Sequence, residues 1–198
     1  MTIKIDTKKH TMMKLQGHFL LAMPGMDDPF FKHSLIYLCE HNQEGSMGIM
    51  LTRSTNMSVA EIVAKMNFLI ADQRDYRHDD VVLVGGPVSV ERGFILHSKC
   101  IPAFQHSVAV SDQIWLTTSA DVLQTVGRAD APEKYLVALG CCTWRPDQLE
   151  QEIADNAWLV IDGNEHLLFD VHYDHRWLEA SRSLGIEPSY LSAHVGHA

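Results

Sequence analysis

The sequence holds no apolar run approaching the ~20 residues that a helix needs to cross a bilayer, so no membrane span is expected. Its first residues, MTIKIDTKKHTMMK, lack the long apolar core of a secretory signal; export is not expected, and the cytosol is the default location. There is no basic run in the body of the chain. With 25 acidic against 16 basic residues, a net charge of −9 disfavours a general nucleic-acid binder, which must neutralise phosphates. The local exception, Lys4, Lys8, Lys9 and Lys14 against Asp6, reads as a solvated tail. Only four cysteines are present and none has CxxC spacing, which disfavours metal-ribbon and thioredoxin-type chemistry. Cys39 and Cys141 sit in apolar strand-like runs, where a thiol behaves as a small core residue. Strand alternation sends adjacent Cys141 and Cys142 to opposite faces, against a vicinal disulfide.

Signatures of catalysis are missing too: GxSxG, HExxH, GxGxxG and GxxxxGK[ST] are all absent. Gly85-Gly86-Pro87 leads into a strand and not a helix N-terminus, so two glycines supplying positive φ before a proline explain it better than a phosphate loop. The histidine groups 172–175 and 194–197 have no preorganised metal spacing. No cofactor and no metal is expected.

What is present is an ordinary apolar fraction, 46%, enough to bury a substantial core. Residues 17–51, GHFLLAMPGMDDPFFKHSLIYLCEHNQEGSMGIML, read as strand, acidic turn, strand, tight turn, strand, with Gly45 closing the hairpin loop. Ser58 and Glu61 form a capping-box pattern before Val59, Ile62, Val63 and Met66, predicting a helix over 58–67. Residues 81–84 and 93–97 are strand-like, and 108–110 with 114–116 suggest a hairpin. Ser119 caps a second predicted helix ending near Gly127. A strand follows at 135–139, a third helix opens at Pro146, and 157–161 is again a strand. Residues 167–169 look short and extended, and the last helix covers 174–184 with Gly185 at its C-terminal cap. Strands outnumber helices and are largely consecutive, which favours α+β with much antiparallel sheet over a doubly wound fold. Residues 1–14 read as a flexible extension and 15–198 as one domain.

The order of the 17–51 block, GGPV (85–88), ERGFILHS (91–98), SDQIWLTTSADVL (111–123), KYLVALG (134–140), QLEQEIADNAWL (148–159) and LLFD (167–170) resembles the YqgE/AlgH family of bacterial proteins. The resemblance implies a bifurcated, largely antiparallel sheet forming a pseudo-barrel with a few short flanking helices, in a bacterial cytosolic protein. It also implies a regulatory role, since the family carries a transcriptional-regulator label, although no helix-turn-helix pattern is visible. The family commonly has a glycine-rich loop where this chain reads CCTWRPD (141–147), so bulkier residues would narrow any backbone contact there.

The candidate site residues are Asp27, Asp28, Phe30, His41 and Asn42, joined by Arg92 and His97 if the strands fold side by side. Acids and exposed aromatics suit recognition. The competing reading of Asp27-Asp28-Pro29 is an Asx turn with the phenylalanines folded into the core. A histidine beside a carboxylate, Glu40-His41, can act as a base, but no nucleophile motif accompanies it. The leading expectation is a non-enzymatic regulatory or adaptor protein that binds a protein partner or a small ligand. The alternatives are an enzyme using a His-centred pocket, with His41 or His97 moving a proton, and a direct DNA-binding regulator. Oligomeric state is open, because edges of an irregular sheet can pair between chains.

Overall fold

The structure, a computed structural model, describes residues 14–66, 80–126 and 128–186. Three strands open it: β1 (Phe19–Ala22), β2 (Leu35–Asn42) and β3 (Gly45–Met50). They form an antiparallel meander, as the 17–51 pattern requires, with Asn42 pairing Gly45 across the hairpin. β4 (Ser54–Ser58) follows; its polar sequence, STNMS, carries no strand signal, and only its pairing with β5 makes it one. Ser58 then caps α1 (Val59–Lys65) through the reciprocal bonds of a capping box with Glu61.

After β5 (Val81–Val84) come β6 (Val88–Ser98), β7 (Ser107–Ala109) and β8 (Ile114–Thr117), the last two paired as the expected hairpin. β9 (Tyr135–Trp144) is followed by α2 (Gln148–Ala154), β10 (Trp158–Ile161) and α3 (Arg176–Ser183). The sheet order is β10-β1-β2-β3-β9-β6-β8-β7, with β4 and β5 branching off. β9 is the reason for the fork. Val137, Ala138 and Leu139 pair in parallel with β5, whereas Cys142, Thr143 and Trp144 pair antiparallel with β3. β6 runs antiparallel to β9 along both halves. The result is an α+β fold with a curled half-barrel sheet, antiparallel except for β5–β9.

Gly85 sits at the fork: its N–H reaches Leu139 and its carbonyl accepts from Met50. A Cβ there would lie 2.2 Å from the Gly140 carbonyl oxygen. Close backbone approach, not positive φ at both glycines, therefore explains Gly85-Gly86; only Gly86 has positive φ.

The period-2 pattern sorts the core. Phe19, Leu21, Leu35 and Tyr37 face one cluster, into which α3 inserts Trp177. Leu20, Ala22, Ile36 and Leu38 face another, covered by Leu149 of α2. Cys141 and Cys142 fall into opposite clusters, as alternation predicts, and all four cysteines are free. The segment 141–144 is the end of β9 and not a loop.

Further expectations need correction. The second helix is a 3₁₀ turn (Ala120–Gln124), and Ser119 does not cap it; its hydroxyl donates to the Gln105 carbonyl instead. Gly127 lies outside the described residues. The third helix starts at Gln148, two residues after Pro146, because Asp147 adopts a left-handed φ of 63°. Residues 167–169 are not extended but lie in a single π turn (His166–Asp170), where Asn164 accepts from the Leu167 N–H. The last helix is shorter than 174–184 but ends as read, with Gly185 at φ 70° and its N–H on Arg182.

Candidate functional site

A cavity of about 610 Å³ opens between the end of β2, β3, β9 and the first half of β6. Its apolar lining comes from Met47, Phe94, Val108, Val110 and Leu116. Glu40, Asn42, Ser89, Arg92 and Thr143 supply the polar groups. An apolar lining with a few convergent polar groups is the usual make-up of a ligand site.

Arg92 owes its place to a break in pairing. β6 meets β9 at Val88–Cys141 and again at Gly93–Leu139, so residues 89–92 bow outward opposite Gly140. Gly140, at φ 75°, permits this: a Cβ would stand 2.5 Å from the Gly86 oxygen and 3.0 Å from the Val88 oxygen. The bowed segment is exposed, and the Arg92 guanidinium lies 5.5 Å from the Phe94 ring centre. Among the described residues no carboxylate lies within 4 Å of it.

Of the sequence-predicted residues, three line this cavity: His41, Asn42 and Arg92. Two of those are occupied. His41 is buried, with Nδ1 on the Ser46 hydroxyl at 2.8 Å; its Nε2 stands 3.5 Å from a Glu150 oxygen of α2 without a hydrogen bond. Asn42 holds the hairpin together, donating to Glu40 at 2.6 Å and accepting from the Glu44 N–H at 2.7 Å.

Asp27, Asp28 and Phe30 lie elsewhere. Asp28 Oδ1 accepts from the Phe30 N–H at 2.8 Å, the bond of an Asx turn. Phe31 packs edge-on against Trp158, and Arg53 covers the Phe30 ring at 5.4 Å while donating to the Pro29 carbonyl. His97 is fully buried, with Nδ1 at the Ser98 carbonyl and Nε2 at the Thr117 hydroxyl, both 2.8 Å. Burial holds its pKa below the ordinary histidine value. Neither ring nitrogen is open to a substrate.

Sequence reading placed Cys39 and Cys141 in the core and did not bring them to this wall, which they share with Thr143. Burial pushes both thiols up, with nearby Arg92 pulling Cys141 back only in part. They are protonated thiols at neutral pH and poor nucleophiles. Tyr37 of β2, buried beside Phe19 of β1, is pushed up to about 12. The arrangement offers shape, apolar surface and one uncommitted cation; it is equipped to bind.

Fold and cavity together define an α+β half-barrel with an open cleft at the fork of its sheet. The chain belongs to the AlgH-like family, whose model matches residues 19–189. It is 55% identical over 186 residues to a protein of Pasteurella multocida, covering 94% of this chain and 100% of that one. A Histophilus somni protein is 57% identical, covering 88% of this chain and 93% of the relative. The solution structure of the AlgH protein from Pseudomonas aeruginosa superposes with a TM-score of 0.73 at 35% identity, covering 98% of this chain and all of that one. A crystal structure from Corynebacterium diphtheriae, at 17% identity and a TM-score of 0.70, shares the fold over 86% of this chain and 87% of its own. No helix among the described residues is long and apolar enough to cross a membrane.

Proposed function

We propose that this chain is a non-enzymatic binding protein whose cleft takes a small ligand with an apolar body and one acidic group directed at Arg92. The observation that carries the reading is the uncommitted Arg92 guanidinium at the mouth of an apolar-lined, 610 Å³ cleft. Asp27, Asp28 and Phe30 serve the fold in this reading, and His41 and Asn42 hold the cleft wall. The regulatory role implied by the family resemblance would be exercised in the bacterial cytosol by ligand-dependent contact with a protein partner. Exposed Val88, Val90 and Val108 beside the cleft favour such a partner. Direct duplex binding is the weaker reading for a chain of net charge −9.

The test uses 8-anilinonaphthalene-1-sulfonate, an apolar body bearing an anion. Saturable fluorescence enhancement is expected, weakened about tenfold in Arg92→Ala, the cost of one charge-assisted contact, and blocked in Thr143→Trp, which fills the cleft. Enhancement undiminished in both variants, at unchanged melting temperature, refutes the assignment.

A further inference from the structure

A second cavity, of about 370 Å³, has Val81 and Leu83 of β5, Val137 of β9 and Phe169 of the π turn among its walls. Arg176, the first residue of α3, lines it and is only 6% exposed. Its Nε donates to the Val171 carbonyl and its Nη1 to the Leu51 carbonyl, each at 2.9 Å. Those bonds tie α3 to the end of β3, and they are bonds to neutral acceptors. Among the described residues no carboxylate lies within 4 Å of this guanidinium, and the rest of its N–H donors are uncommitted. Burial without a counter-charge pulls its pKa down to about 10.

Two acids also line the cavity, and both are engaged. Asp80 accepts from the Tyr135 hydroxyl at 2.6 Å. Asp170 pairs with Lys134 at 3.0 Å and faces His166 at 3.7 Å. A buried cation without an anion is costly, whereas an anion supplied from solution turns the same group into a strong partner. The guanidinium fork matches a carboxylate in both shape and charge.

We propose that this cavity is a second ligand site, distinct from the Arg92 cleft, and that it takes a small carboxylate whose acid group pairs with Arg176 while its apolar body lies against Val81, Leu83 and Phe169. Arg176 then has two duties: fastening α3 to β3 and reading the acid. The site does not depend on the cleft reading.

Titration of the full ¹⁵N-labelled chain with benzoate, followed by NMR, tests it. Saturable shifts are expected at the amides of Val81, Val137 and Tyr173, with no response to benzyl alcohol, which has the same ring without the charge. Arg176→Lys keeps a cation but loses the fork, and should weaken binding about tenfold. Val81→Phe fills the cavity away from the guanidinium and should abolish the shifts, whereas Arg92→Ala should leave them intact. Shifts confined to the Arg92 cleft overturn the proposal, as do an equal response to benzyl alcohol or binding retained at full strength in both Arg176→Lys and folded Val81→Phe. A response to inorganic phosphate with none to benzoate overturns the carboxylate assignment.

Discussion

Replacing Glu152 with alanine removes the acceptor on which two buried indoles converge. Glu152 Oε2 accepts from Trp144 Nε1 at 2.9 Å and from Trp158 Nε1 at 2.8 Å, while Oε1 accepts from Gln148 at 2.8 Å. The two rings meet edge to face with centres 6.1 Å apart, and they are 6% and 3% exposed. This carboxylate of α2 thus clamps the end of β9 to β10 behind the cleft, on the face opposite Thr143. Each indole N–H left without an acceptor costs ~1–2 kcal/mol in a part-buried setting. Glu152→Ala should therefore lose ~2–4 kcal/mol, or ~4–16 °C of melting temperature at ~2–4 °C per kcal/mol for a chain of this size. Glu152→Gln keeps an acceptor oxygen without the charge and should lose about half as much. In a Trp144→Phe background one donor is already gone, so the cost of Glu152→Ala should shrink by ~1–2 kcal/mol. Urea unfolding read by tryptophan fluorescence and circular dichroism measures the parent and the four variants. If Glu152→Ala unfolds within ~0.5 kcal/mol of the parent, the level of an ordinary surface change, the indoles are solvated and the clamp is refuted.

Two further outcomes follow from burial and backbone geometry. His97 has a folded pKa below its ordinary value of 6.5, so below that pH the unfolded chain takes up a proton that the folded chain resists. The His97 contribution to stability should be present above its ordinary pKa and be lost as the pH drops below it, and His97→Gln should flatten that part of the profile; an unchanged slope in the variant refutes the assignment. Gly140→Ala meets both a φ of 75° and a carbonyl 2.5 Å from the new methyl, so it should cost ~3 kcal/mol or more. Gly25→Ala meets nothing within 4 Å and should be neutral or stabilising by ~0.4–1 kcal/mol. Equal melting temperatures for these two variants would show that the fork of the sheet tolerates a side chain.

The sequence by itself determined what short-range chemistry controls. Ser58 and Glu61 lie three residues apart and close their own capping box. Asn42 and Asp28 bond backbone groups two residues on, and alternation alone divides Phe19 from Leu20 and Cys141 from Cys142. The order of such blocks was also enough to mark the family. Local chemistry failed where the partner is distant. β4 is a strand only because β5 lies beside it, and the π turn at His166–Asp170 exists inside an apolar run that reads equally well as extended chain.

The candidate site divides the same way. That Asp27, Asp28 and Phe30 do not line the cleft follows from their place in the turn between β1 and β2, whereas Arg92 reaches it because β6 bows from β9 opposite Gly140. Cys39 and Thr143 meet on one wall because β3 lies between their strands. Nothing in HYDHRWLEA distinguishes Arg176 from a surface arginine beside a tryptophan; its bond to the Leu51 carbonyl spans 125 positions. Tertiary structure alone decided which charges were buried and which cavities they face, because desolvation and cavity shape are set by every element packed around a residue and by none of its neighbours in sequence.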